Sequence, residues 1–210
     1  MKTEAPATLG RRESWTEPAA PMMDPRHRKR AVAAAARVIA CGLWVLVATH
    51  ASADPAYDEA KVKAAFVERF IHFVDWPEAR LADSSRPFVI GILGRDPIQP
   101  HLEELLASKQ LKDRAVQIRL IERVEDLGEC HVLWISSSEA GHVADVLARI
   151  DGQAVLTMSD TEGLAARGVD INLSRAGDHL GFEVNRVAAE HSGLQLSAKL
   201  LDLARIVSGP

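Results

Sequence analysis

The sequence predicts an α/β fold: a three-layer sandwich with a mixed, mostly parallel sheet, an antiparallel hairpin at its edge and helices on both faces. Three observations carry that expectation. The continuously apolar run Phe88–Leu93 and the segment His131–Ile135 have the length of strands and suit burial in the sheet. Stretches with helix start signals and helical apolar spacing separate them, and this βαβ order yields parallel neighbours. Late in the chain, Val169–Leu173 and His179–Val184 alternate apolar and polar residues around a short glycine-containing turn, as the arms of a hairpin do. Right-handed crossovers then place helices on both faces.

The first element is Lys61–Pro77, KVKAAFVERFIHFVDWP. At about 100° per residue, Val62, Phe66, Phe70, Phe73 and Val74 gather on one side, so it reads as one amphipathic helix. Pro77 ends it, because proline disfavours helix at the residue before it. A polar loop, Ala79–Pro87, leads into the strand Phe88–Leu93. Asp96 suits an N-cap and Pro97 a first helical position. The helix His101–Ser108 carries Leu102, Leu105 and Leu106 on one side. Val116–Ile121 reads as a strand nearer the sheet edge, and Glu122–Glu129 as a connector. After the strand His131–Ile135, Ser136–Glu139 matches a capping box and opens a helix to Ile150. Ala154–Met158 is strand-like. Ser159–Glu162 is a second capping box, before a short helix that Gly168 ends. Beyond the hairpin, two helices close the chain. One runs from Arg186 to about Ser192. The other runs from Ser197 to Val207, with Leu196, Leu200, Leu203 and Val207 as its stripe.

The length of 210 residues suits one domain or two. With five Phe, four Trp and one Tyr, the core must be filled by aliphatic side chains. Charge is unevenly placed. Residues 1–53 carry eight Lys/Arg and four Asp/Glu, net +4, whereas residues 54–210 carry 17 and 25, net −8. An acidic folded part argues against nucleic acid as a partner, since phosphate binding needs a basic face. The basic start has its own explanation. Arg26–Arg30 forms a positive n-region, Ala31–Val47 is apolar except for Arg37, and Ala51–Ala53 is an A-x-A site. Residues 1–53 therefore read as a signal-peptide region cleaved after Ala53, and residues 54–210 as a single exported domain. Arg37 leaves Val38–Val47 as the clean apolar stretch, about half of the ~20 residues a membrane span needs. A start at Met22 or Met23 gives a signal peptide of ordinary length. With Cys41 removed, Cys130 is the remaining cysteine, and its neighbours read as a buried strand.

Motifs for chemistry are weak. Gly91–Gly94 lacks G-x-G-x-x-G spacing, and no Walker sequence is present. Ser136–Ser138, followed by His142, has no G-x-S-x-G elbow, and helix capping accounts for it. The eight His form no H-x-x-x-H pair or close His/Cys cluster. No Asp-rich calcium loop occurs. No catalytic residue, metal or cofactor is expected.

Arg69 is the anomaly of the first helix, because its guanidinium falls within the apolar stripe, near Val62, Phe73 and Trp76. Burying it unpaired is expensive. Two readings stay open. One is an ion pair, with Glu183 as the acid. The other is contact with a small anionic or aromatic ligand, with Phe73 and Trp76 as stacking surfaces. Arg186 and Lys199 are candidates for the same or another anion site, although solvation on a helix face explains each equally well.

The motifs AAFVERFIHFVDWP (64–77), PFVIGILGRDP (87–97), CHVLWIS (130–136), VLTMSD (155–160), GVDINL (168–173) and FEVN with AAEHSGLQLSAKLLDLARIV (182–207) resemble, in order and spacing, the YfiR-like family of periplasmic regulators. The resemblance covers roughly residues 57–207. It implies an exported, non-catalytic regulator with a three-layer α/β fold. It further implies a partner, the periplasmic domain of an inner-membrane diguanylate cyclase, whose repression lowers cyclic di-GMP. An outer-membrane lipoprotein that sequesters the regulator, a homodimer, and a small ligand held by arginine and aromatic side chains are implied as well. The family's namesake is stabilised by disulfides, whereas the mature chain here has one cysteine, so redox control through an internal bond is not expected. The alternative reading is a periplasmic small-molecule binding module without a cyclase partner.

Overall fold

The computed structural model describes residues 55–176 and 179–209. The signal-peptide expectation for residues 1–53, with Cys41, lies outside the described residues. The chain runs through α1 (Pro55–Ile71), β1 (Val74–Asp75), β2 (Phe88–Leu93), α2 (Ile98–Leu106), β3 (Gln110–Leu111), β4 (Arg114–Ile121), β5 (Val132–Ile135), α3 (Val143–Ile150) and β6 (Leu156–Ser159). It continues through β7 (Ile171–Ala176), β8 (His179–Asn185), α4 (Arg186–His191), β9 (Gln195–Leu196), α5 (Ala198–Leu201) and β10 (Arg205–Val207).

Eight strands make one sheet in the order β10-β8-β7-β6-β5-β2-β4-β3. The run from β4 through β2, β5 and β6 to β7 is parallel. The hairpin β7–β8 is antiparallel, with Ile171 opposite Val184 and Leu173 opposite Phe182. The mixed sandwich read from the sequence is therefore the architecture observed. The hairpin lies one strand in from the edge, because β10 adds to β8 in parallel. Apolar clusters form on both faces. The larger joins Val67, Phe70 and Ile71 of α1 and Leu102 and Leu106 of α2 to Phe88, Ile90, Ile92 and Trp134. The smaller joins Val143, Val146 and Ile150 of α3 to Leu93, Ile121, Leu133 and Ile135.

The first helix differs from expectation. It ends at Ile71, six residues before Pro77. Val74 and Asp75 instead pair with Leu196 and Gln195, and the Phe73 carbonyl accepts from Ser197 N at 2.9 Å. Tertiary pairing thus overrides the continuing helical pattern. The buried stripe is Ala60, Ala64, Val67 and Ile71, and Val62 is 44% exposed. Arg69 lies about 170° around the helix from that stripe and is exposed.

The C-terminus also differs. The helix expected over Ser197–Val207 is confined to α5, one turn capped by Ser197, whose hydroxyl accepts from Leu200 N at 3.3 Å. Arg205–Val207 is a strand, and Leu203 is 78% exposed rather than part of an apolar stripe. The Ser136 hydroxyl makes no cap bond, and a 3-10 turn over Ser137–His142 precedes α3. The second expected capping box likewise opens no α-helix. Ser159 accepts from Thr161 N at 3.2 Å, and the short helical stretch is a 3-10 turn over Ala165–Arg167. Gly168 ends that turn at φ 103°, a left-handed conformation that glycine adopts without strain. No helix of the described residues is long and apolar enough to cross a membrane.

Candidate functional site

The residues singled out from the sequence fall in different surroundings. Arg69 makes no ion pair among the described residues. Glu183, the acid expected to meet it, is 5% exposed and pairs with Arg205. Sheet register explains this, because Arg205 of β10 stands directly opposite Glu183 of β8. Phe73 is partly buried against the larger core. Trp76 is 7% exposed; it stands edge-on to Phe88 at 5.3 Å, and Lys112 Nζ lies 5.6 Å from its ring centre. Arg186 pairs with Glu190 one helical turn away at 2.6 Å, and Lys199 is exposed on α5. Trp76 and Glu183 line separate cavities.

The structure gathers a different set of arginines. The connection from β4 to β5 holds one 3-10 turn, Val124–Asp126, instead of a helix. A cavity of about 520 Å³ opens where β2, β4 and the approach to β5 begin. Arg80, Arg86, Arg114, Arg119 and His131 line it, together with the acids Asp83 and Glu129.

Each arginine is placed by backbone. Arg80, from the 3-10 turn Glu78–Leu81, donates to the Cys130 carbonyl at 2.7 Å. Arg114, the first residue of β4, donates to the carbonyls of Leu81 and Asp83 and, at 3.3 Å, to that of Arg86. Three carbonyls on one guanidinium fold the Leu81–Arg86 loop over the strand ends. Arg86 pairs with Glu129, and both side chains are 61% exposed, so solvent screens that pair. Arg119 makes no ion pair among the described residues. Gly128 lies flat against its guanidinium, and a Cβ there would come within 2.8 Å of Nη1.

Charge and hydrogen bonding are incompletely balanced. Four guanidinium groups face two carboxylates. Nε of Arg80, Arg114 and Arg119, and Nη2 of Arg119, are shielded from solvent and make no hydrogen bond with the described residues. Leaving such a donor unmade costs about 1–3 kcal/mol, so a fold carries several at one place for a reason other than stability.

His131 sets the floor of the cavity. Its Nδ1 accepts from Val89 N at 3.0 Å, which places the proton of the neutral ring on Nε2. The ring stacks on Phe88 at 4.6 Å, and Trp76 Nε1 donates to the His131 carbonyl at 3.3 Å. Trp76 therefore buttresses this cavity from beneath. Burial, and then the charges of Arg80, Arg114 and Arg86, push the imidazole down to about 4. At neutral pH it is an uncharged Nε2–H donor. The Arg86 hydrogen bond holds the Glu129 carboxyl below its usual range. Burial pushes the neighbouring Cys130 thiol up to about 11 against the pull of Arg119 and Arg80, so this buried cysteine is an unreactive thiol.

Sequence reasoning missed this site because its arginines are scattered over forty residues of loop and strand, where each alone reads as a solvated charge. One signal was present: Arg114, Gln117 and Arg119 put polar side chains along β4, beside the wholly apolar β2. Among the described residues, no group of three or more His, Cys, Asp or Glu side chains is placed to hold a metal ion.

No curated protein matches the chain. Among solved structures it is similar to the ABC domain in complex with L-Trp from Streptococcus pneumonia. That likeness has a TM-score of 0.47 and 10% identity, covering 67% of this chain and 61% of that one. It is also similar to a conserved domain protein from Vibrio cholerae, with a TM-score of 0.48 and 12% identity, covering 70% and 59%. The chain thus spans about three fifths of the length of each of these proteins. A profile described as YfiR/HmsC-like matches residues 60–205, from α1 to the start of β10. With the greater part of its length matched by that profile, the chain belongs to the YfiR/HmsC-like family, known as periplasmic regulators of cyclic di-GMP signalling.

Proposed function

We propose that the chain is an exported, non-catalytic signalling regulator that represses a membrane-bound diguanylate cyclase from the periplasmic side and so lowers cyclic di-GMP. Family membership across residues 60–205 is the observation that carries this reading. The partner is the periplasmic domain of an inner-membrane cyclase, with an outer-membrane lipoprotein and a homodimer as further assembly states. A domain of net charge −8 over residues 54–210 favours a partner surface of complementary, basic character. Arg69, an exposed guanidinium free of ion pairs among the described residues, is the exception on the acidic domain and suits an acidic group of the partner.

The test is whole-cell cyclic di-GMP in a deletion strain complemented with wild type or Arg69→Ala. Deletion should raise the level at least about twofold, and wild type should restore it, since losing a repressor shifts the cyclase toward its active state. Failure of the Arg69→Ala protein to restore the level, when it is folded and exported, assigns the residue to the contact. An unchanged level on deletion removes the cyclase reading.

A second reading is favoured by one observation, the arginine-lined cavity beside His131. It makes the chain a periplasmic small-molecule binding module. The two readings coexist where ligand occupancy biases partner binding.

A further inference from the structure

We propose that the cavity formed by Arg80, Arg86, Arg114 and Arg119 with His131 is a binding site for a small molecule presenting a doubly charged oxyanion, a phosphoryl group or a pair of carboxylates. This deepens the binding-module reading and rests on it; it does not depend on a cyclase partner.

Charge distribution is the first support. Residues 54–210 are acidic, with 17 Lys/Arg against 25 Asp/Glu, yet four of those cations converge on one cavity. Only Asp83 and Glu129 accompany them, leaving two positive charges uncompensated. Like charges gathered this way repel one another, and a bound dianion removes that repulsion.

Anchoring is the second support. Arg114 and Arg80 are held by backbone carbonyls, which fix their direction without neutralising them. The planar fork of a guanidinium matches the paired oxygens of phosphate and carboxylate, so pre-oriented arginines bind such groups at low entropic cost. Arg119 supplies a cation with no carboxylate partner among the described residues. Arg86 is shared, because its Glu129 pair is exposed on both sides and an entering oxyanion competes for it.

Selectivity comes from His131. With Nδ1 occupied by Val89 N–H, the ring offers its Nε2–H to the cavity it lines. It donates to an oxyanion and has no free acceptor for a cationic or neutral donor ligand. At about 520 Å³ the cavity suits a small metabolite rather than a polymer.

Calorimetric titration of the purified exported protein tests this, using pyrophosphate, inorganic phosphate and succinate at constant ionic strength, with chloride and acetate as controls. Saturable binding of at least one dianion is expected, with neither control binding. Pyrophosphate above succinate identifies a phosphoryl ligand, and the reverse order a dicarboxylate. Arg86→Gln and Arg119→Gln should each weaken binding roughly tenfold, the loss of one charge-assisted contact. Glu129→Gln should tighten it about threefold, because it frees Arg86 and removes an opposing charge. A variant that merely damaged the fold would not tighten binding, so this opposite sign keeps the test decisive where Arg119→Gln lowers stability. Equal binding by wild type and both arginine variants overturns the site. If those variants bind another small molecule as wild type does, the cavity assignment fails and the binding-module reading stands. If no small molecule binds at all, both fail.

Discussion

At the scale of single residues, Glu183 decides how the C-terminal segment is held. Its side chain is 6% exposed, and a carboxylate so placed requires a cation. Arg205 supplies it from β10, but with 72% of its own side chain in water, solvent weakens the pair. Removing Arg205 leaves the buried carboxylate alone. Arg205→Ala should therefore destabilise the fold by about 1–2 kcal/mol, less than a fully buried pair would lose. A double-mutant cycle in urea should return coupling of that size between Glu183→Gln and Arg205→Ala. The same cycle between Glu183 and Arg69, the pairing the helical pattern invites, should return zero within ~0.5 kcal/mol. Coupling to Arg69 would mean that β10 does not occupy its place beside β8. Arg69 misleads because rotation around a helix is counted from an assumed span. The inferred face leans toward Arg69 because it counts Val62, which is 44% exposed, and Phe73, which lies beyond the helix, and leaves out the buried Ala60 and Ala64.

At the scale of elements, legibility follows length and burial. β2, β5 and the β7–β8 hairpin are plain in the sequence because their apolar content matches a strand period over four residues or more. β1, β3, β9 and β10 span two or three residues each, too short to carry a period, and tertiary partners alone define them. The same limit hides the arginine cavity, whose side chains are brought together by a loop and by the missing β4–β5 helix. Family likeness and a mostly parallel sheet with a late hairpin were within reach of the sequence; the order of the strands and the cavity were not. Another short junction carries a testable consequence. β6 and β7 pair through only Met158–Ile171 and Ser159–Asn172. Just before β7, the Asp170 carboxylate prolongs that ladder, accepting from Thr157 N and Thr157 Oγ1 at 2.7 Å each. Burial raises Asp170 from 3.8 to about 7, against the lowering effect of the Thr157 bonds. The folded state therefore binds a proton that the unfolded chain has lost. This contribution is complete below pH 3.8 and disappears as pH rises through about 7. Thermal unfolding of wild type and Asp170→Asn between pH 5 and 8 should show the variant gaining on wild type as pH rises, by ~3–6 °C in Tm across the range. Parallel pH profiles would show that Asp170 does not titrate there.

At the scale of the whole molecule, the organising fact is the change of charge sign near residue 53. On the signal-peptide reading, the net +4 of residues 1–53 and the net −8 of residues 54–210 would serve opposite tasks. A positive n-region ahead of a short apolar run would hold its start at the inner face during export, and net charge on the released domain would favour its solubility. The profile match begins at residue 60, within α1. Cleavage after Ala53 would place the new terminus one residue before the described α1. Chain recovered from the periplasm should accordingly begin at Asp54 when its N-terminus is sequenced. Ala53→Asp should block processing, because signal peptidase requires a small residue there, and leave a longer, membrane-retained form. If Ala53→Asp is processed like wild type, cleavage falls at another site. If the wild-type chain is recovered with Ala31–Val47 still attached, that apolar run is an anchor. The regulator would then act tethered to the membrane rather than free in the periplasm. That difference matters for the proposed circuit. A free regulator can be drawn away to the outer membrane by a lipoprotein, whereas a tethered one can be relieved only where it stands.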